Sequence, residues 1–307
     1  MVVTSAPGKL ILMGEHAVVF GKPAIAMAVD LRLRCSVERA GRYTVNGHPL
    51  DRRYHSYIVS AIDQFWKGGG LDIRTIGDLP SGSGLGSSAA LTVAFVRAIE
   101  ELDGKYDEES VARRAFLVEL HVQGRASPID TSASTHGHGI LISGEGNDPL
   151  WTIELGDRRW DVHHLDVPQM SMVIGYTGIH APTGPLVAKV KRYYDRTNFA
   201  KETIEEIADL TEEGQTRLKT GDVVGLGELM TRNHKLLSIL GVSCPELNRL
   251  VRASLPYSYG AKLTGSGGGG SMVALTDEPE RVCEAIRRHG GTPFLVRTGV
   301  EGVRLEK

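Results

Sequence analysis

Leu79-Pro80-Ser81-Gly82-Ser83-Gly84-Leu85-Gly86-Ser87-Ser88-Ala89-Ala90 is the stretch on which the fold turns. Its proline stops whatever precedes it, its glycines free backbone N–H groups, its serines add hydroxyls, and its alanines begin a helix. Leu91, Phe95, Ala98 and Leu102 continue that helix as one apolar stripe. The helix N-terminus would face the glycines, where unpaired N–H groups and the positive dipole end favour a phosphate by roughly 0.3–1 kcal/mol per exposed charge. An ordinary Gly/Ser loop with Ser87 or Ser88 as N-cap has the same composition. Glycine packed directly before a strong helix favours the phosphate cradle.

Upstream of the cradle, Val2-Val3 and Leu10 to Met13 read as short strands around the turn signal Ala6-Pro7-Gly8, with Lys9 just past it. Gly14-Glu15-His16 interrupts the apolar run and reads as a tight bend exposing two ionisable side chains. Leu31 to Glu38 alternates as a half-buried strand with its arginines in water, and a helix is expected from Tyr54 to Phe65. Leu71 to Ile76 is a further strand leading into the cradle.

Downstream, Asp107 caps a second helix with the stripe Val111, Ala115, Val118 and Val122, closed by Gly124. Glu119 lies at the border of that stripe, where a carboxylate needs a partner; Arg113 or Arg114 is the simplest structural one. Asp130 could be the N-cap of a short helix through Thr135. The pair His136-x-His138 has no third metal ligand at recognisable spacing, so it reads as structural or solvent-facing. The pattern restarts near Asp166-Val167-Pro168. This gives an expected boundary between a domain of residues 1–167 and one of 168–307, the second carrying the Gly-rich loop 264–270. Residues 186–255 read as mostly helical, and Gly260 to Val296 as strand, strand, helix, strand.

A chain of 307 residues is long enough for two cores, and 41% apolar residues can fill them. A net charge of −2 without a basic block argues against a nucleic-acid partner. No run has the length of a membrane span and no signal segment opens the chain, so a cytoplasmic protein is expected. Cys35, Cys244 and Cys283 suit reduced thiols.

Two rival phosphate motifs fail. Gly8-Lys9, Gly21-Lys22 and Gly104-Lys105 lack the Ser or Thr that follows in a P-loop. Gly84-Leu85-Gly86-Ser87-Ser88-Ala89 matches a dinucleotide fingerprint in letters, yet Asp78-Leu79-Pro80 is not the end of a buried strand, and the acidic pair Glu100 and Glu101 falls inside the helix rather than on a following strand end.

Three motifs together carry a resemblance: Ala6-Pro7-Gly8-Lys9, Pro80-x-x-x-Gly84-Leu85-Gly86-Ser87-Ser88-Ala89-Ala90, and Lys262-Leu263-Thr264-Gly265-Ser266-Gly267-Gly268-Gly269-Gly270. The chain resembles the GHMP superfamily of small-molecule kinases, which includes galactokinases, homoserine kinases, mevalonate kinases and phosphomevalonate kinases. It is most similar to the mevalonate kinases, through Gly14-Glu15-His16-Ala17-Val18-Val19-Phe20-Gly21-Lys22-Pro23-Ala24 and Leu240-Gly241-Val242-Ser243-Cys244-Pro245.

The resemblance implies an α+β fold of two domains, the first α/β and like ribosomal protein S5, the second ferredoxin-like, with the active site in the cleft between them. It implies ATP-dependent phosphorylation of the C5 hydroxyl of mevalonate, with Mg²⁺ as cofactor, ATP and mevalonate as small-molecule partners, and a possible homodimer. Asp130 matches the family's catalytic aspartate and Lys9 the lysine that contacts it. Ser88 and Glu119 match the magnesium ligands, whose hydroxyl and carboxylate suit a hard cation. Glu15, His16 and Thr183 match residues near the acceptor. Pro80, Gly82, Ser83, Gly84, Leu85, Gly86, Ser87, Ser88, Gly265 and Gly267 fall in the ATP-binding motifs. The alternatives are another kinase of the superfamily, acting on phosphomevalonate or a sugar, and a non-catalytic ligand-binding relative. Three departures stand out: Ala126-Ser127-Pro128-Ile129 before Asp130, no lysine or arginine in residues 178–183, and Ser266 where alanine is frequent.

Overall fold

The computed structural model describes residues 1–80, 82–124, 126–144, 148–180 and 182–306; Ser81 of the cradle and Ala181 of the stretch 178–183 lie outside them. The chain opens on β1 (Val2–Met13) and β2 (Ala24–Arg39), the antiparallel centre of the larger sheet. β1 is one continuous strand rather than two short ones. A register shift between Pro7 and Gly8 lets it pass the proline, which has no N–H for the ladder.

The sheet grows outward from β2. β3 (Thr44–Val45) and β4 (His48–Pro49) form its small outer hairpin, and α1 (Ser56–Phe65) leads to β5 (Leu71–Gly77), which pairs with β2. Next come α2 (Ser87–Leu102), α3 (Glu108–Gln123) and α4 (Ile129–His136). β6 (Gly139–Ile142), β7 (Trp151–Leu155) and β8 (Arg158–Leu165) complete the order β4-β3-β5-β2-β6-β8-β7. α2 packs on β1 and β2 with one side and on α1, α3 and α4 with others. This is why Ala89, Ala90, Val93, Ala94, Val96 and Ile99 are buried along with Phe95 and Ala98, while Leu91 and Leu102 of the expected stripe are only half-buried.

The smaller sheet starts with β9 (Ser171–Tyr176). Four helices follow: α5 (Thr183–Arg196), α6 (Asn198–Thr220), α7 (Val223–Ile239) and α8 (Pro245–Ser254). Gly221 ends α6 in the left-handed region, Asp222 caps α7 by accepting from the Gly225 N–H, and Pro245 opens α8. β10 (Gly260–Thr264), β11 (Ser271–Leu275), α9 (Pro279–Arg288) and β12 (Thr292–Arg297) close an antiparallel sheet of order β10-β11-β9-β12. The last strand, β13 (Arg304–Leu305), returns to pair with β1.

Arg32 was expected in water and is instead part of that closure. Its guanidinium donates to the carbonyls of Ser5 (3.0 Å), Glu301 (2.7 Å) and Gly302 (2.6 Å), whereas Arg34 on the same strand is exposed. No described helix is long and apolar enough to cross a membrane.

Candidate active site

β1 carries Lys9 into the interior, and α4 presents Asp130 to it. The Lys9 ammonium lies 2.9 Å from Asp130 Oδ1, with Lys9 buried and a third of the Asp130 side chain open to solvent. Asp130 is not the N-cap, since Pro128 takes that place; it sits in the first turn, near the positive end of the helix. Gly86 makes room for the lysine: a Cβ there would stand 2.8 Å from Lys9 Cγ.

Beside this pair, Ser88 Oγ donates to Glu119 Oε1 at 2.9 Å. Arg113 and Arg114 do not reach Glu119; they pair with Glu109 and Glu100. Burial, reinforced by the Asp130 charge, pushes the Glu119 carboxyl up to about 7 against the opposing pull of Ser88 and Lys9. Among the described residues the pull of Ser88 and Lys9 does not offset the burial of this carboxyl. A hydroxyl and a carboxylate together offer the hard oxygen donors that Mg²⁺ takes alongside phosphate oxygens and water, so the donor set fits that ion.

The cradle loop is turned by Gly82, Gly84 and Gly86, with φ of 72°, 80° and 74°. Bonds within and beneath the loop hold Pro80, Ser83 and Leu85 in place. Ser83 Oγ donates to the Pro80 carbonyl (2.7 Å), and the Leu85 side chain is buried while its carbonyl accepts from the Lys9 N–H (2.9 Å). Gly86 is the N-cap of α2 and no side chain caps that end, leaving Ser87 and Ser88 in the first turn, not at the cap. Ser271 Oγ donates to the Ser83 carbonyl (2.7 Å), bringing the loop after β10 against the cradle. Gly267 lies so close to Val242 that a Cβ would meet its carbonyl at 2.0 Å, whereas Gly265 has nothing within 4 Å and Gly84 nothing nearer than 3.9 Å. A side chain at Gly265 would enter open space, while Gly267 is held against Val242.

Glu15 and His16, expected to be exposed, are buried at 1% and 5%. Glu15 Oε1 is ion-paired with Lys262, and Asn233 Nδ2 donates to Oε2 at 3.2 Å. His16 has a left-handed φ of 62°, and burial lowers the pKa of its ring. Its Nε2 lies 3.0 Å from the Ser266 carbonyl and therefore donates, which makes Nδ1 an acceptor in the neutral ring; Nδ1 has no partner among the described residues. Thr183 Oγ1 is 3.2 Å from Ser266 Oγ at the mouth of the same region.

Lys262, Asn233 and His234 are functional candidates that sequence reasoning passed over. A lysine inside the apolar strand Ala261-Lys262-Leu263 was the available signal, because a buried ammonium demands a carboxylate. The His136-x-His138 pair does gain a neighbour, with His136 Nε2 at 2.8 Å from His164 Nδ1, but no group of three or more ligand-type residues able to hold a metal ion occurs among the described residues.

Comparison with known proteins matches this arrangement. The family model of the GHMP kinases N terminal domain covers residues 55–138, and that of the GHMP kinases C terminal covers residues 203–292. The mevalonate kinase of Pyrococcus abyssi is 36% identical over 100% of this chain and 98% of its own length. That of Methanothermobacter thermautotrophicus is 38% identical over 88% of both. The crystal structure of L. major mevalonate kinase in complex with R-mevalonate superposes with a TM-score of 0.83 at 27% identity, covering 97% of this chain and 96% of that one. With two family models matched and full-length relatives above 30% identity, the chain belongs to the mevalonate kinase family of the GHMP kinases.

Proposed function

We propose that the protein transfers the γ-phosphoryl group of ATP to the C5 hydroxyl of mevalonate, giving 5-phosphomevalonate and ADP, a step of isoprenoid biosynthesis. The observation that carries this reading is the Lys9–Asp130 pair set beside Ser88–Glu119 at an uncapped helix N-terminus. Residues 1–167 and 168–307 form the two walls of the site, the first supplying the cradle and the second the loop 264–270.

Phosphoryl transfer requires positioning and charge neutralisation more than covalent chemistry. The backbone N–H groups at the start of α2, with Gly84, Gly86, Gly265 and Gly267 keeping side chains out of the way, receive the triphosphate. Ser88 and Glu119 would hold Mg²⁺, which would supply neutralisation of phosphate charge. Asp130 accepts the hydrogen bond of the C5 hydroxyl and takes its proton as the oxygen–phosphorus bond forms. Lys9 stabilises the oxygen that loses that proton. The bond from the γ-phosphorus to the bridging oxygen breaks, and its electron pair leaves with ADP. His16 and Thr183 line the acceptor end.

ADP release measured over mevalonate, phosphomevalonate and galactose tests the reading. Release is expected with mevalonate alone; release with another acceptor and none with mevalonate overturns it.

A further inference from the structure

Glu15 already has a partner on each carboxylate oxygen. It is buried, Lys262 occupies one carboxylate oxygen and Asn233 the other. Lys262 is fully buried as well and gives a second N–H to the Leu263 carbonyl at 2.7 Å. Two charges held this deep are tolerated only because each satisfies the other, and removing one strands its partner. We propose that Lys262 is a positioning residue for phosphoryl transfer: with Asn233 it clamps Glu15 as an internal brace, and the brace fixes His16 at the acceptor end. This rests on the reading of the site as a kinase centre.

Three observations support the brace. First, Lys262 and Thr264 share one face of β10 by strand alternation, and that face meets β1. Thr264 Oγ1 donates to the Ile11 carbonyl (3.0 Å) and accepts from the Ile11 N–H (3.1 Å), so β10 is registered against the end of β1 just before the bend. Second, His16 follows Glu15 directly and has φ 62° with ψ −38°, a positive-φ conformation in which a non-glycine residue stays only if its surroundings over-determine it. The Glu15 clamp on one side and the Ser266 carbonyl on the other provide that constraint. Third, the lysine's own position is secured from α7 and α8. His234 Nδ1 accepts from the Leu263 N–H (3.2 Å), and its Nε2 donates to Asn248 Oδ1 (3.0 Å), which also accepts from Ser243 Oγ (2.7 Å). The bend carrying His16 is therefore built jointly by β1, α7 and β10.

The test compares steady-state kinetics of Lys262→Met, Glu15→Gln, Asn233→Ala and the double variant Glu15→Gln/Lys262→Met. Acceptor KM is measured with whichever alcohol the wild type phosphorylates, so a wrong acceptor identity leaves this test intact. Lys262→Met is expected to lower kcat/KM for the acceptor about 100-fold, the scale of a misplacement of about 1 Å, with a raised acceptor KM and with KM for ATP unchanged. Adding Glu15→Gln should restore part of that loss, because no buried charge is then left unpaired. Asn233→Ala removes only a neutral partner and should shift acceptor KM in the same direction by a smaller factor; it decides the matter if Lys262→Met fails to fold. Unchanged acceptor KM in Lys262→Met or Asn233→Ala, parallel losses for ATP and acceptor, or a double variant that is the product of the two single losses overturns the proposal.

Discussion

At the scale of single residues, Asp130 is the group whose removal should cost the most turnover for the least change elsewhere. Its carboxylate meets Lys9 at 2.9 Å while staying open to solvent, and it makes no capping bond that folding would miss. Asp130→Asn is expected to lower kcat about 10²–10⁴-fold, as loss of a general base does, with nucleotide affinity nearly kept. Near-normal turnover would exclude it from the reaction. Lys9, Ser88, Glu119 and Asp130 were each visible as residues, but their pairing is a property of the fold: β1, α2, α3 and α4 each supply one. Glu15 and His16 show the limit of local reading. A polar triplet interrupting an apolar run looks like a solvated bend, and only Lys262 and Asn233, far along the chain, make its burial affordable.

At the scale of elements, the cradle and α2 separate backbone strain from site geometry. Gly84 and Gly86 both have positive φ, yet a Cβ at Gly84 would make only ordinary contact with the Thr264 carbonyl (3.9 Å) while one at Gly86 would press on Lys9. Gly84→Ala and Gly86→Ala should each lose about 1–2 kcal/mol of stability for the left-handed backbone. Only Gly86→Ala should also depress kcat, by displacing the lysine stem, and Gly84→Ala should act chiefly on KM for ATP. Thermal melts with steady-state kinetics check this, and equal kcat losses would contradict it. The existence of α2 was legible from glycine, serine and alanine in sequence. Its buried surface was not, because an apolar stripe predicts one covered face and α2 is covered by a sheet on one side and three helices on others.

At the scale of the whole molecule, two buried groups give opposing contributions to stability against pH. Burial and the Lys262 charge push His234 from its ordinary 6.5 down to about 4, so the unfolded chain takes up a proton that the native state refuses. That contribution is lost as pH falls from 6.5 toward 4. Glu119, raised from 4.5 to about 7, keeps a proton that the unfolded chain releases, so its contribution is lost as pH rises from 4.5 to 7. Each is worth roughly 3 kcal/mol at full effect. Without nucleotide or divalent cation, the stability of His234→Gln in urea relative to wild type should therefore fall as pH rises through this range, and that of Glu119→Gln relative to wild type should rise; differences that change with the same sign would contradict the assignment. The two-sheet architecture followed from motifs near both ends of the chain and from the strand, strand, helix, strand order of its last part. The return of β13 to β1 and the anchoring role of Arg32 did not, since two residues of strand carry no periodicity. The phosphorus NMR spectrum of the product tests the account most directly. With ATP and mevalonate together, wild type is predicted to give a phosphomonoester signal split by the two C5 methylene protons, and Asp130→Asn almost none; ADP accumulating without that signal, or phosphorus on the tertiary C3 oxygen, whose carbon bears no proton, would contradict it.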